Sequence, residues 1–122
     1  LENIGPVLTV QDVLELQSAV DNTRMDPTLT AYIMDIVTAT RKSNLIDVGV
    51  SPRGSLAMYR LAQAHALAQG RDYCVPDDIK SLAVPAFAHR IVLSSDYGSR
   101  APHATTANQV IKNIVESVPV PL

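Results

Sequence analysis

The chain of 122 residues is long enough for one domain with a single hydrophobic core, and too short for a complete nucleotide-driven machine. Its apolar fraction of 47% is ordinary for a globular domain, and one Phe and no Trp leave the core to Leu, Ile, Val and Ala, which suit helices. Ten basic and twelve acidic residues give a net charge of −2 with no basic block, which excludes general electrostatic binding of nucleic acid.

The first predicted helix follows Thr9. Threonine is a good N-cap residue, and Asp12 places an acid in the first turn, where the helix dipole favours it. The apolar residues that follow recur at helical spacing and form one stripe, namely Val10, Val13, Leu14 and Val20. This pattern indicates an amphipathic helix.

The second predicted helix is the clearest in the sequence. Asp26 is its expected N-cap, and Pro27 takes the first helical position, where a missing N–H costs nothing. Arg41 and Lys42 lie at the C-terminal end, where the helix dipole favours cations. The apolar stripe consists of Leu29, Ile33, Ile36, Val37 and Thr40.

The third predicted helix runs from Pro52 to about Gln69. Ser51 is its expected N-cap, and Gly70 is placed to take the left-handed conformation that ends many helices. Leu and Ala residues are spread nearly all round it, as in a helix that is covered on most sides. We therefore expect it to be the central helix of the domain.

Arg53 has an unusual place in the first turn of that helix. The N-terminal end favours negative charge by roughly 0.3–1 kcal/mol at exposed sites, so a cation there needs a reason, and a shared anion would be one. The alternative is a surface ion pair with a carboxylate such as Asp47, which would be worth about 0–1 kcal/mol. The residues alone leave both interpretations open.

A fourth helix is predicted from Pro76, with Asp77 and Asp78 in its first turn. Adjacent residues on a helix do not face each other, so we interpret the two acids as partners of the helix dipole rather than as a paired-carboxylate site. Pro85 is expected to bend or break this helix, which would make residues 85–90 a second short helix at an angle.

The last part of the chain is predicted as a loop followed by a helix. Ser, Asp, Gly, Pro and Thr dominate residues 94–106, and Thr105 or Thr106 is the expected N-cap of the final helix. Its narrow apolar stripe consists of Val110, Ile111, Ile114, Val115 and Val118. With only a short extended piece at residues 90–95, the fold class is all-α, a small bundle of about five helices.

The sequence contains none of the common nucleotide-binding, metal-binding or redox motifs. It has no phosphate-binding loop, no H-E-x-x-H and no C-x-x-C, and His65, His89 and His103 are not at metal-ligand spacings, so we expect no metal site. Cys74 is the single cysteine, and the carboxylates just downstream would raise its thiol pKa, so we expect a buried or incidental thiol. No apolar run approaches the roughly 20 residues of a membrane helix, and we expect a cytoplasmic protein without membrane contact.

The stretch of residues 49–94 resembles the C-terminal lid domain of the MoxR family of AAA+ ATPases. The resemblance extends over nearly the whole chain, from "PVLTVQDVLELQ" to "IVESVPVP". The residues that carry it, in fixed order, are Gly49, Ser51, Pro52, Arg53, Gly70, Arg71, Asp72, Tyr73, Pro76, Asp77 and Asp78.

Two departures from the family pattern are modest. Gly54 stands where a small Ala is common, which would weaken the helix start by about 0.5–1 kcal/mol relative to Ala if the residue is interior. Cys74 and Val75 replace the usual Val-Thr before Pro76, which removes the expected threonine N-cap of the fourth helix.

The resemblance implies that the chain is a lid that works with a nucleotide-binding core. We expect residues 1–8 to be a linker from a missing N-terminal ATPase core, residues 9–118 to be the helical lid and residues 119–122 to be a C-terminal tail; Leu1 in place of Met suggests a piece of a longer protein. In that family the arginine of the S-P-R segment is the sensor-2 residue. The resemblance thus assigns Arg53 a catalytic role in the full subunit, with Ser51 and Pro52 beside it in binding ATP.

The family also implies cofactors and partners. ATP with Mg would be bound mainly by the core, and no activity is expected of this piece alone. Partners would be its own core and the neighbouring subunits of a ring, commonly a hexamer, together with von Willebrand factor A-type proteins, in chaperone-like assembly or activation of protein complexes. The alternative is a stand-alone helical interaction module without nucleotide chemistry, in which Arg53 is merely a surface residue.

Overall fold

The computed structural model describes residues 5–95 and 106–121, and in these ranges the chain forms a helical bundle with one small two-stranded antiparallel sheet. This confirms the predicted all-α class with five α-helices. In chain order the elements are α1 (Val10–Asn22), α2 (Pro27–Lys42), β1 (Ile46–Val48), α3 (Pro52–Ala68), α4 (Pro76–Phe87), a 3-10 turn (Ala88–Arg90), β2 (Val92–Leu93) and α5 (Ala107–Ser117).

Helix α3 is central, as the distribution of its apolar residues predicts. It contacts α1, α2 and α4, and α5 packs against α2 and α4. Met58, Ala62 and Ala66 form its fully buried face. The burial is less complete than expected, since Leu56 is 69% exposed and lies on a face that no other described helix covers.

The predicted helix starts are confirmed at four places. Thr9 accepts a hydrogen bond from the Asp12 N–H, and the Asp12 carboxylate accepts one from the Thr9 N–H, which completes a capping box at α1. Asp26 caps α2, Ser51 caps α3 and Thr106 caps α5, each through a side-chain oxygen. Gly70 has the predicted left-handed conformation after α3, with φ of +76°.

The structure corrects the expectation for Pro85. Helix α4 continues through Pro85 to Phe87, and only the 3-10 turn Ala88–Arg90 follows, so no separate helix begins at residue 85. Pro85 lies on the exposed face near the helix end, while Ala86 and Phe87 are buried in the core. Packing of these residues therefore holds the last turn although the proline lacks an N–H.

Two further differences concern α1 and the two-stranded sheet. Val10 is 79% and Leu14 53% exposed, and no residue of α1 is buried, so its apolar stripe is mostly uncovered; only Val20, near the end of α1, is half-buried beside α3. Strand β1 has no predicted counterpart; it pairs antiparallel with β2, which lies within the extended piece expected at residues 90–95. Most of the predicted loop, residues 96–105, and the first four residues of the predicted linker lie outside the described residues.

Candidate functional site

The turn from β1 into α3 places Arg53 at the surface. Ser51 has an extended backbone, and its Oγ accepts a hydrogen bond from the Gly54 N–H (3.3 Å), which fixes the first turn of α3. Pro52 takes the first helical position, as predicted, and Arg53 follows with an exposed side chain. The structure thus brings the three predicted site residues together at one helix start.

The residue just before this turn is held at both of its peptide groups. Val50 is fully buried, and its N–H donates to Oγ1 of Thr40 (3.0 Å). Its carbonyl accepts a hydrogen bond from Nε of Arg41 (2.9 Å). Thr40 and Arg41 belong to the last turn of α2, so the end of one helix fixes the backbone that leads into the next.

Two glycines allow the close packing of this turn. A Cβ atom at Gly49 would lie 2.7 Å from Cγ of Arg41 and 2.9 Å from its backbone, and a Cβ atom at Gly54 would lie 2.5 Å from Cγ1 of Val50. Such distances are too short for carbon atoms in van der Waals contact. The expectation that Gly54 merely weakens the helix is therefore incomplete, because this buried position has no room for the methyl group of alanine.

Arg53 forms no ion pair with another described residue. Among residues 5–95 and 106–121, no ion pair joins Arg53 to Asp47, so the alternative of a surface salt bridge finds no support there. The side chain of Arg90 packs against the same helix start, since its Cδ is 3.4 Å from the position of a Cβ at Gly54. Nε of Arg90 and Oγ of Ser55 are buried and have no hydrogen-bond partner in the described part of the chain.

This arrangement has the chemistry of an anion site. A guanidinium carries a permanent positive charge and up to five donors in a plane that matches the oxygens of a carboxylate or a phosphate. Arg53 presents that group from a helix N-terminus, where backbone N–H groups add to the positive potential. The binding roles of Ser51, Pro52 and Arg53 themselves stay predictions.

A second polar cluster joins the end of α3 to the start of α4. Asp78 is 1% exposed, and its carboxylate accepts two hydrogen bonds from Arg71 (2.6 and 2.9 Å) and one from the Val75 N–H (2.8 Å). Nδ1 of His65 lies 2.7 Å from the same carboxylate. The Val75 N–H thus finds its partner in Asp78, which secures the start of α4 without the threonine cap.

These contacts set the pKa values in the cluster. Burial acts to raise the pKa of Asp78, but hydrogen bonds from Arg71, Val75 and His65 outweigh it and lower the pKa to about 2. Burial, reinforced by the charge of Asp78, raises the pKa of the Cys74 thiol, and nearby Arg71 opposes this only in part. A buried thiol with a raised pKa is not a nucleophile, in agreement with the sequence interpretation of Cys74.

The cluster of Asp78, Arg71 and His65 was missed from the sequence. Asp77 is exposed and faces Lys80, as expected of an acid in a first turn, whereas Asp78 forms the buried centre of a network. The signal available was the placement of Arg71 and Asp78 in the two motifs on either side of Cys74. No group of three metal-ligating side chains occurs in the described ranges, and no described helix is long and apolar enough to cross a bilayer.

Comparisons with known proteins agree on one family. A family model described as the AAA lid domain matches residues 38–114. A Bacillus subtilis (strain 168) protein named YeaC, given as uncharacterized, is 38% identical over 122 residues, which are 100% of this chain and 37% of that protein. Chaperone MoxR1 of Mycobacterium tuberculosis is 30% identical over 94% of this chain and 32% of its own length.

Two further matches complete the comparison. Protein MoxR of Paracoccus denitrificans is 33% identical over 81% of this chain and 32% of its own length. The crystal structure of a candidate ATPase from Cytophaga hutchinsonii superposes with a TM-score of 0.83 at 28% identity, over 92% of this chain and 36% of that one. The chain therefore spans about a third of the length of the relatives it matches.

Proposed function

This chain belongs to the AAA lid domain family, with MoxR proteins among its relatives, and on that premise we propose that it acts as the lid of a MoxR-type ATPase. In this role Arg53 is the sensor-2 residue, which contacts the terminal phosphates of ATP held with Mg mainly by a nucleotide-binding core. The observation that carries the proposal is the exposed guanidinium of Arg53 on a turn whose backbone is fixed by buried contacts.

The residues present fit a phosphate group. Arg53 offers a planar set of donors, and Ser51 and Pro52 shape the helix start from which it projects. ATP would supply the anion that this positive surface lacks. Such a fixed cation stabilises the negative charge on the phosphate oxygens during phosphoryl transfer.

The position of Arg53 on a separate domain makes its contact conditional on the nucleotide. With the γ-phosphate in place, Arg53 would hold the lid against the core, and after hydrolysis this contact would be lost. A lid released in this way can rotate as a rigid body and change the contacts with neighbouring subunits. Nucleotide state is thereby converted into a change of domain orientation.

The domain limits and partners belong to the same proposal. Residues 9–118 form the lid, residues 1–8 are the linker from the core, and residues 119–122 are a tail. The complete protein would act in the cytoplasm as a ring-shaped oligomer, such as a hexamer, in chaperone-like assembly or activation of protein complexes with von Willebrand factor A-type partners. One relative is itself named a chaperone, which supports this class of function.

The test compares Arg53→Ala and Arg53→Lys in the full-length protein that carries this domain. Loss of a charged hydrogen-bonding group is expected to lower ATP affinity or turnover by about 10- to 100-fold, and Arg53→Lys is expected to recover part of the loss. Arg60→Ala is the matched control, because Arg60 is exposed on the same helix two turns away. Unchanged ATP affinity and turnover in Arg53→Ala would refute the sensor-2 role.

A second function is favoured by the mostly exposed apolar stripe of α1. A stand-alone interaction module could use this exposed apolar face to bind another protein, without nucleotide chemistry. The two functions differ in their genetic context, because a lid requires a G-x-x-x-x-G-K-[ST] phosphate loop earlier in the same protein. A gene that encodes this segment alone, with its own start codon, would favour the module.

A further inference from the structure

We propose that Thr40 and Arg41, at the end of α2, are positioning residues that set the direction of Arg53 by holding both peptide groups of Val50. The inference rests on the sensor-2 role of Arg53 proposed above. The sequence alone explains Arg41 only as a cation that suits the C-terminal end of a helix. The structure adds a specific contact for it, nine residues further along the chain.

The contact of Thr40 is completely buried. Its Oγ1 donates to the Val37 carbonyl (2.7 Å) and accepts from the Val50 N–H (3.0 Å), and both Thr40 and Val50 are 0% exposed. A Val50 N–H without this acceptor would be buried and unsatisfied, which is costly. The hydroxyl therefore ties the chain that leaves β1 to the last turn of α2.

The contact of Arg41 uses only the inner part of its side chain. Nε donates to the Val50 carbonyl at 2.9 Å, and the aliphatic stem lies against Gly49 so closely that a Cβ there would be 2.7 Å from Cγ. The side chain thus runs along the backbone of residues 49 and 50. Arg41 acts here through its geometry, and its charge is not needed for the bond to Val50.

The held residue lies three positions before Arg53. Between them, Ser51 is the extended N-cap of α3 and the ring of Pro52 locks the φ angle of that residue, so this path has little backbone freedom. The start of α3, and with it the direction of the Arg53 side chain, then follows from where Val50 is held. A small displacement of a phosphate-binding group weakens catalysis strongly.

Three substitutions of Arg41 separate geometry from charge. In Arg41→Gln the amide nitrogen is bonded to Cδ, as Nε is in arginine, so the donor to Val50 is kept and the charge is lost. In Arg41→Lys the charge is kept, but a carbon replaces Nε. Arg41→Met keeps the length of the stem and loses both. Lys42→Gln is the control for loss of a charge in the same helical turn.

The experiment uses the full-length protein and measures the affinity for a fluorescent ATP analogue and ATP turnover. Arg41→Met and Arg41→Lys are expected to lose about two- to tenfold in these quantities, the worth of one hydrogen bond, while Arg41→Gln and Lys42→Gln stay close to wild type. Thr40→Val is expected to show the same loss, which Thr40→Ser recovers. Hydrogen exchange of the amides of Val50, Gly54 and Ser55, which are hydrogen-bonded in the folded domain, should become faster in the impaired variants alone.

The double variant Arg41→Met/Arg53→Ala gives the decisive comparison. If Arg41 acts through Arg53, the double variant binds and turns over ATP no worse than Arg53→Ala. Additive losses, or a loss in Arg41→Gln with full activity in Arg41→Lys, would overturn the positioning role. The positioning role would also be overturned if Arg41→Met bound and turned over ATP like the wild type while Arg53→Ala was impaired. In that case the sensor-2 role would stand. An unimpaired Arg53→Ala overturns both.

Discussion

The close contact between Gly54 and Val50 leads to a prediction that reverses ordinary helix propensity. Glycine to alanine within a helix usually stabilises a protein by about 0.5–1 kcal/mol. Here the new Cβ would lie 2.5 Å from Cγ1 of Val50, a fully buried side chain whose backbone is held at both ends. Overpacking costs about 1–3 kcal/mol, so we expect Gly54→Ala to lower the free energy of unfolding by about 0.5–2 kcal/mol.

A double-mutant cycle isolates that contact. Val50→Ala removes two buried methyl groups and should by itself cost about 1–3 kcal/mol. It also removes the atom that the new methyl group at position 54 would meet. The double variant should therefore be no less stable than Val50→Ala, with a favourable coupling of at least about 1 kcal/mol.

Urea unfolding of the four proteins, followed by circular dichroism at 222 nm, measures the cycle. Comparable m-values across the set show that the same folded and unfolded states are compared. A stabilised Gly54→Ala, or strictly additive effects in the double variant, would refute the steric explanation of Gly54.

Other predictions concern the second polar cluster, the central helix and a cap. The pKa of Asp78 is about 2 in the folded chain, below its ordinary 3.8. Above pH 4 the ionised group therefore contributes about 2–3 kcal/mol to the free energy of unfolding, and this contribution is lost as the pH falls from about 4 to 2. Measurements of the free energy of unfolding against pH should show this loss in the wild type and not in Asp78→Asn. At neutral pH, Asp78→Ala leaves Arg71 without its partner and should cost about 3–5 kcal/mol in urea unfolding; a loss below 1 kcal/mol would contradict the buried network. Ala62→Leu should cost about 1–3 kcal/mol because Ala62 is fully buried, whereas Ala64→Leu at an open groove should be nearly neutral in the same assay, and equal effects would contradict this packing. Thr9→Ala should lower stability by about 1 kcal/mol through loss of its cap, with Thr9→Ser as the control that keeps it.

Local signals in the sequence predict most of the helix boundaries. Four helices are capped in the structure by the residues expected from the sequence, because a short polar side chain before an apolar stripe can accept a hydrogen bond from a free N–H of the first turn. These caps are Thr9, Asp26, Ser51 and Thr106. The helical class and the AAA lid family could likewise be predicted, the class from apolar periodicity and the family from motifs in fixed order.

Features that depend on distant contacts could not be predicted in this way. The bond from Arg41 to Val50 and the burial of Asp78 arise only when separate helices meet, and neither leaves a periodic pattern. A proline within an isolated helix is expected to break it, but in the folded domain the burial of Phe87 keeps the last turn of α4 helical beyond Pro85. The exposed stripe of α1 shows the reverse case, since an apolar face in the sequence does not reveal which surface covers it.

The cluster of Asp78, Arg71 and His65 has a mechanical consequence for the domain. It fastens the far end of α3 to α4, while Arg53 lies at the near end, so the two helices form one stiff lever. With 17 residues, α3 is about 25 Å long, and a turn of about 10° about Arg53 would sweep its far end through about 4 Å. If Arg53 binds a phosphate group as proposed, a small rotation at that contact would become a displacement on the scale of a side chain at the far end of α3.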